Sequence, residues 1–253
     1  TLTLSGTNTY AGSTTIGSGT ILLTDGLSTN MNQVVIVGTG GSLVLTNGAR
    51  LFTTNGLNLG GTSGTIALYS NTVWNMRGQN ANPGNLIGGT SNRFLVADGA
   101  IVTNTFGSGN VLLVFGNYCT IEIVNGGKVY WQNGSILFGQ SVTRDNRILV
   151  GGSGAPAYMQ STNIVQIPQS GGAVANHGIV VSNGVWDAAS VFLGRSLSTG
   201  NYINVFASGL INFSAQPLFI ADNNAAVGNF LNVDGGVVTN VSGITIASAA
   251  GGR

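Results

Sequence analysis

The sequence predicts an all-β fold: a single right-handed parallel β-helix over residues 1–253, of about nine turns of roughly 28 residues each. Three observations lead there. A five-residue frame recurs seven times: Asn (once His), any residue, a hydrophobe or Cys, any residue, then Val or Ile. It reads NQVVI at 32–36, NRFLV at 92–96, NYCTI at 117–121, NRILV at 146–150, HGIVV at 177–181, NYINV at 201–205 and NFLNV at 229–233. A degenerate copy, GTIAL at 64–68, fills the one large gap and brings the starts to 24–32 residues apart. The chain also holds 41 glycines but 4 prolines, with no three-residue glycine period, which excludes collagen. Lastly, no segment shows an apolar period of 3.6 bounded by caps, so helix has no support.

The opening residues, TLTLSG, alternate as a strand does. Residues 4–26 then read LSGTNTYAGSTTIGSGTILLTDG. Asn8, Thr9, Tyr10, Gly12, Thr14, Ile16 and Gly19 fit the pattern NTY-x-G-x-T-x-I-x-x-G-x-L, with Ile21 near its Leu position. This stretch resembles the autotransporter-associated β-strand repeat of bacterial passenger domains, over about a tenth of the chain. The resemblance implies a right-handed parallel β-helix exported to the cell surface. It implies no catalytic residues, because the motif is itself a folding element.

Within each frame the third and fifth residues project to one side of a strand. Phe94/Val96, Cys119/Ile121, Ile148/Val150, Ile179/Val181, Ile203/Val205 and Leu231/Val233 are therefore expected to stack as two interior columns. The leading residues, Asn32, Asn92, Asn117, Asn146, His177, Asn201 and Asn229, form a third row. Such a row either binds sugar hydroxyls or bonds the coils above and below as an internal ladder, and the ladder is the reading preferred. Turns follow each frame at Asp98-Gly99, Asn125-Gly126, Asn183-Gly184, Ser208-Gly209 and Asp234-Gly235. Leu59-Gly60, Ile87-Gly88, Phe138-Gly139, Leu193-Gly194 and Ile220-Ala221 close a strand before the next frame, giving three strands and three corners per coil. Irregular loops are expected near 75–85 and 153–163.

Charged residues make up 6% of the chain, against about 25% in typical soluble domains. Disorder is excluded by the wealth of Val, Ile and Leu and a net charge of +1. A membrane-spanning helix needs about 20 apolar residues, and the best run, 111–115, has five. Eight basic against seven acidic residues give nucleic acid no cationic face. With Cys119 alone, no internal disulfide forms, and a buried free thiol is expected. The chain opens with neither an initiator Met nor a signal peptide and reads as a mature product or an excised segment.

His177 is the only histidine and no carboxylate stands at ligand spacing from it, so no metal and no other cofactor is expected. The carboxylates are Asp25, Asp98, Glu122, Asp145, Asp187, Asp222 and Asp234, too scattered to pair for acid–base work on a glycoside. Asp145, beside Arg144 and Arg147, reads as one half of a surface ion pair. GTGGS at 38–42 and GGSGA at 151–155 lack the aspartates of a calcium-binding repeat. Among the aromatic residues, Trp131, Trp186 and Tyr130 are the candidates for an outward strip that contacts carbohydrate or a partner.

Three functions compete on these residues. The first is a structural β-solenoid, outside the cell or on a bacterial surface, whose ends or sides associate with other copies of itself. The second is an adhesin binding glycans or a host surface, and the third a polysaccharide lyase or hydrolase. An outward aromatic face would favour the second, and a carboxylate cluster on one face the third.

Overall fold

The computed structural model describes residues 1–10, 12–30, 35–54, 56–76, 85–105, 109–139, 142–168, 174–195, 197–221 and 226–246. Among these, regular structure consists of strands alone, so no helix is long and apolar enough to cross a membrane. The chain coils so that each circuit lays one strand on each of three faces. The first face is a sheet of ten parallel strands, from Leu2–Leu4 through Gly19–Thr24, Gly41–Thr46, Thr65–Leu68, Arg93–Val96, Thr120–Val124, Arg147–Gly151, Gly178–Ser182 and Tyr202–Phe206 to Phe230–Asp234. The second and third faces join into one sheet because two late strands, Gly209–Ile220 and Val237–Ile246, run through the corner between them. The fold is a parallel β-solenoid.

Side-chain alternation builds its core. Phe94, Ile121, Ile148, Ile179, Ile203 and Leu231 lie in one register row on the first face. Val96, Ile123, Val150, Val181, Val205 and Val233 lie in the next. The frame at 117–121 is therefore displaced by two residues: Ile121 stands beside Phe94 rather than Val96, and Cys119 precedes the two columns. The true rung there is Cys119-Thr120-Ile121-Glu122-Ile123, and NYCTI matched because Cys counts as a hydrophobe. Leu231 and Val233 end the columns, and Val233 is 45% exposed.

Coil length is uneven. Leu2 pairs with Ile21 and Ile21 with Leu43, whereas Ile148 pairs with Ile179, 31 residues on. Corners absorb these differences while the rungs keep register. Nine uniform turns are accordingly not observed. Seven of the ten first-face strands, from Gly41–Thr46 to Tyr202–Phe206, have enclosed inward side chains, so the closed rod has about seven turns. The outermost windings are open because nothing described stacks beyond them.

Two of the expected corners take two successive left-handed residues, Asp98 (φ 52) with Gly99 (φ 76) and Asn125 (φ 50) with Gly126 (φ 79), whereas at 183–184 and 208–209 only Asn183 and Ser208 are left-handed and at 234–235 only Gly235. Of the two irregular stretches, 77–84 lies outside the described residues, while Asn75, Met76 and Asn85 belong to strands. The stretch 153–163 contains a regular strand, Ala157–Ser161, on the second face. Its Ala157, Met159 and Ser161 point inward and Tyr158 and Gln160 half outward, an alternation masked in the sequence by the preceding Gly-Ala-Pro.

Candidate functional site

The first polar constellation is internal. Asn92 Oδ1 accepts the Gly64 N–H at 2.7 Å, and Asn146 Oδ1 accepts that of Cys119 at 2.9 Å. His177 Nδ1 accepts the Asn146 N–H at 3.1 Å, Asn201 Oδ1 that of His177 at 3.0 Å, and Asn229 Oδ1 that of Asn201 at 3.0 Å. The amide groups donate backward too, Asn92 Nδ2 to Gly61 O and Asn146 Nδ2 to Gly116 O. Each side chain thus satisfies backbone groups of the preceding coil, most of them buried away from water. Asn117 is not a member. It sits half-buried at the corner and accepts the Arg144 N–H at 3.0 Å. Cys119 takes the slot, its thiol donating to Gly88 O at 3.4 Å. Asn32 lies outside the described residues.

Burial pushes the Cys119 thiol up, and the Asn92 N–H aimed at its sulfur acts weakly the other way. Burial likewise pushes His177 down to about 4, opposed by the Thr143 backbone and the charge of Asp145. Since Nδ1 accepts a main-chain N–H, the proton of the neutral ring sits on Nε2, which faces Thr143 O at 3.2 Å and Thr143 Oγ1 at 3.3 Å. The residue before each ladder position is left-handed: Ser63, Ser91, Tyr118, Asp145, Asn176, Gly200 and Gly228. That kink turns the ladder residue inward.

The outward candidates resolve differently from expectation. Trp131 and Trp186 are fully buried, in register with Asn104 and Ser161 and with Met159 and Ile211 respectively. Neither is a surface contact. On Lys128–Gln132 the inward positions belong to Val129 and Trp131, which leaves Tyr130 facing out. Trp186 Nε1 donates to Ser161 Oγ at 3.0 Å and Trp74 Nε1 to Thr53 Oγ1 at 3.1 Å, while the buried Trp131 Nε1 has no partner among the described residues.

Tyr130 packs on Tyr158 at 5.4 Å, and the Tyr158 hydroxyl donates to Asp187 Oδ2 at 2.5 Å. Burial first and the Asp187 bond second raise the Tyr158 phenol. Asn212 Nδ2 holds the other oxygen of Asp187 at 3.0 Å. This carboxylate borders an open cleft of about 380 Å³ at the corner between the second and third faces, with Gln160, Asn163, Ser190 and Gln216. A second cleft, of about 330 Å³, is lined by Tyr118, Thr120, Asp145, Arg147, Asn176 and Tyr202.

Asp145 does not form the expected ion pair. The ion pair among the described residues is Arg93–Glu122, bidentate at 2.6 and 3.0 Å, and the Arg93 bonds hold Glu122 below the usual carboxylate range. Glu122 stands on the first face, Asp187 on the second and Asp145 at a corner, and the described residues hold no group of three or more His, Cys, Asp or Glu that fits a metal. Nothing in the sequence groups the tyrosines of the two clefts. Only register shows that Tyr118 and Tyr202, 84 positions apart in the chain, border one cleft.

No protein-family model matches the chain, and no curated protein matches it. One solved structure similar to it over its whole length, and over 96% of that chain, is the TibC-catalyzed hyper-glycosylated TibA55-350 fragment, at 16% identity and a TM-score of 0.21.

Proposed function

We propose that the protein is a stiff, non-catalytic rod of the extracellular space or bacterial surface, and that copies pair end to end through the strand edges of their outermost windings. The observation that carries this reading is the row of Asn92, Cys119, Asn146, His177, Asn201 and Asn229, which fastens coil to coil from within. Residues that could have served chemistry are thereby committed to holding backbone. A surface made of hydroxyl, amide and backbone groups, with 6% charged residues, presents little repulsion to neighbours.

End-to-end pairing follows from the translation that relates the coils. The edge strands Leu2–Leu4 and Phe230–Asp234 belong to one parallel sheet, so joining them between copies continues the same ladder. Phe230, Val233, Val237, Ile244 and Ile246 are 45% exposed or more in the final winding and would be covered by such a contact. Electron microscopy and sedimentation velocity test it. Filaments or a concentration-dependent rise in mass are expected, weakened by Val233→Lys. A monodisperse monomer at high concentration overturns the pairing. Sustained release of reducing ends from a polysaccharide, lost in Asp187→Asn, overturns the non-catalytic reading.

A further inference from the structure

We infer that the cleft between Tyr118 and Tyr202 binds a neutral hexopyranosyl oligosaccharide. Its walls come from two adjacent register columns. One runs along the corner that enters the first face, through Tyr118, Asp145 and Asn176. The other runs along the first face itself, through Thr120, Arg147, Gly178 and Tyr202. Neighbouring coils are about 4.8 Å apart, so both rings and all the polar groups converge within a few steps. The cleft is open to solvent, and its volume, about 330 Å³, lies at the small end of ligand clefts, ~300–1,000 Å³.

Three features distinguish this cleft from ordinary solenoid surface. Gly178 leaves its outward position empty, and a Cβ there would run into the Tyr202 ring. That ring therefore lies back over the preceding coil, toward Arg147, while Phe230 stacks on it at 6.0 Å and 21°. Tyr118 is the second feature. It adopts φ +56 where the equivalent coils use Ser, Asp, Asn or Gly, and its side is 50% exposed. A bulky residue held in the left-handed region and contributing little to the core is an expensive choice for the fold alone. Thirdly, Asp145 and Arg147 both face the cleft and neither belongs to an ion pair with the other.

The chemistry of the lining defines the ligand. Flat tyrosine rings match the apolar face of a pyranose, as aromatic side chains with one polar tip do in wet sites. A free carboxylate accepts two hydroxyl protons, a guanidinium donates to hydroxyl and ring oxygens, and the Asn176 amide does both. One negative and one positive group balance, which favours a neutral sugar over an acidic one.

Saturation-transfer NMR and titration calorimetry on the 253-residue chain test this with cellohexaose, laminarihexaose, mannohexaose and β-1,4-galactohexaose, with hexagalacturonate as the acidic arm. At least one neutral hexaose is expected to bind saturably. Tyr118→Gly and Asp145→Asn should each weaken it tenfold or more, and Tyr130→Ala should leave it unchanged. Because glycine accepts positive φ without strain, Tyr118→Gly should melt no lower than the parent chain. The inference is overturned if no neutral hexaose binds, if only hexagalacturonate binds, or if binding survives both substitutions. It is also overturned if Tyr118→Gly melts several degrees lower, which would make the ring a packing element. None of these outcomes depends on whether the rods pair.

Discussion

His177 makes the rod sensitive to acid. Its folded-state pKa of about 4 lies below the ordinary 6.5, so between these values the unfolded chain binds more protons. The stability it confers is complete above about pH 6.5 and is lost as pH falls toward 4, at most about 3 kcal/mol. Denaturant melts from pH 7 to 4 should show this slope, and His177→Asn, which keeps an acceptor in the ladder, should flatten it. Cys119 offers a different contrast. If its sulfur serves the Asn92 N–H and Gly88 carbonyl as a ladder member, Cys119→Val should cost about 1–2 kcal/mol despite the similar size. A neutral result would make the thiol a mere filler. Trp131, whose buried N–H has no partner among the described residues, should tolerate Phe better than Trp186, whose N–H bonds Ser161; paired chemical melts will rank them. The ladder was legible in the sequence as a recurring Asn. Its Cys member was hidden, because nothing in the letters distinguishes a sulfur that accepts an N–H from one that fills a core.

Among the elements, the corners show how much local chemistry reveals. Asx-Gly pairs at 98–99 and 125–126 were readable because few other residues take two left-handed steps. The strand Ala157–Ser161 was not, since five alternating residues after Gly-Ala-Pro lack the branched side chains that flag a rung. Glycines separate strain from crowding. Gly48 has φ +73 with open space beside it, so Gly48→Ala should cost about 1 kcal/mol, for conformation alone. Gly89, at φ +63, has the backbone of Gly61 where a Cβ would go, so Gly89→Ala should cost at least twice as much. Equal melting points for the two variants would show that the coils give way easily at this corner.

For the whole molecule, the fold class was legible because a repeat every few tens of residues with no helix signal leaves few architectures. The uneven coils were not, because a mean spacing says nothing about where corners lengthen. Nor was the cleft at Tyr118 and Tyr202, since its members meet only through register across coils. Ten strands at about 4.8 Å put the ends of the first face about 43 Å apart, a dimension that small-angle scattering on dilute protein should return.

The direction of the ladder has a mechanical consequence. The ladder side chains reach back, and Asn201 alone also donates forward, its Nδ2 to Asn229 Oδ1 at 2.7 Å, so each winding is locked chiefly by the one that follows. Pulled from the C-terminal end, the rod should come apart like a zip, one winding per event, each lost winding unlocking its predecessor. Ladder partners lie 24 to 31 residues apart, so each event should release on the order of 90 Å of chain at about 3.4 Å per residue. Force–extension traces should then show a sawtooth of near-equal low peaks rather than one large rupture. Substituting Asn146 by Ala should lower a single tooth, the one at which the coil carrying Asn146 peels off the coil carrying Cys119.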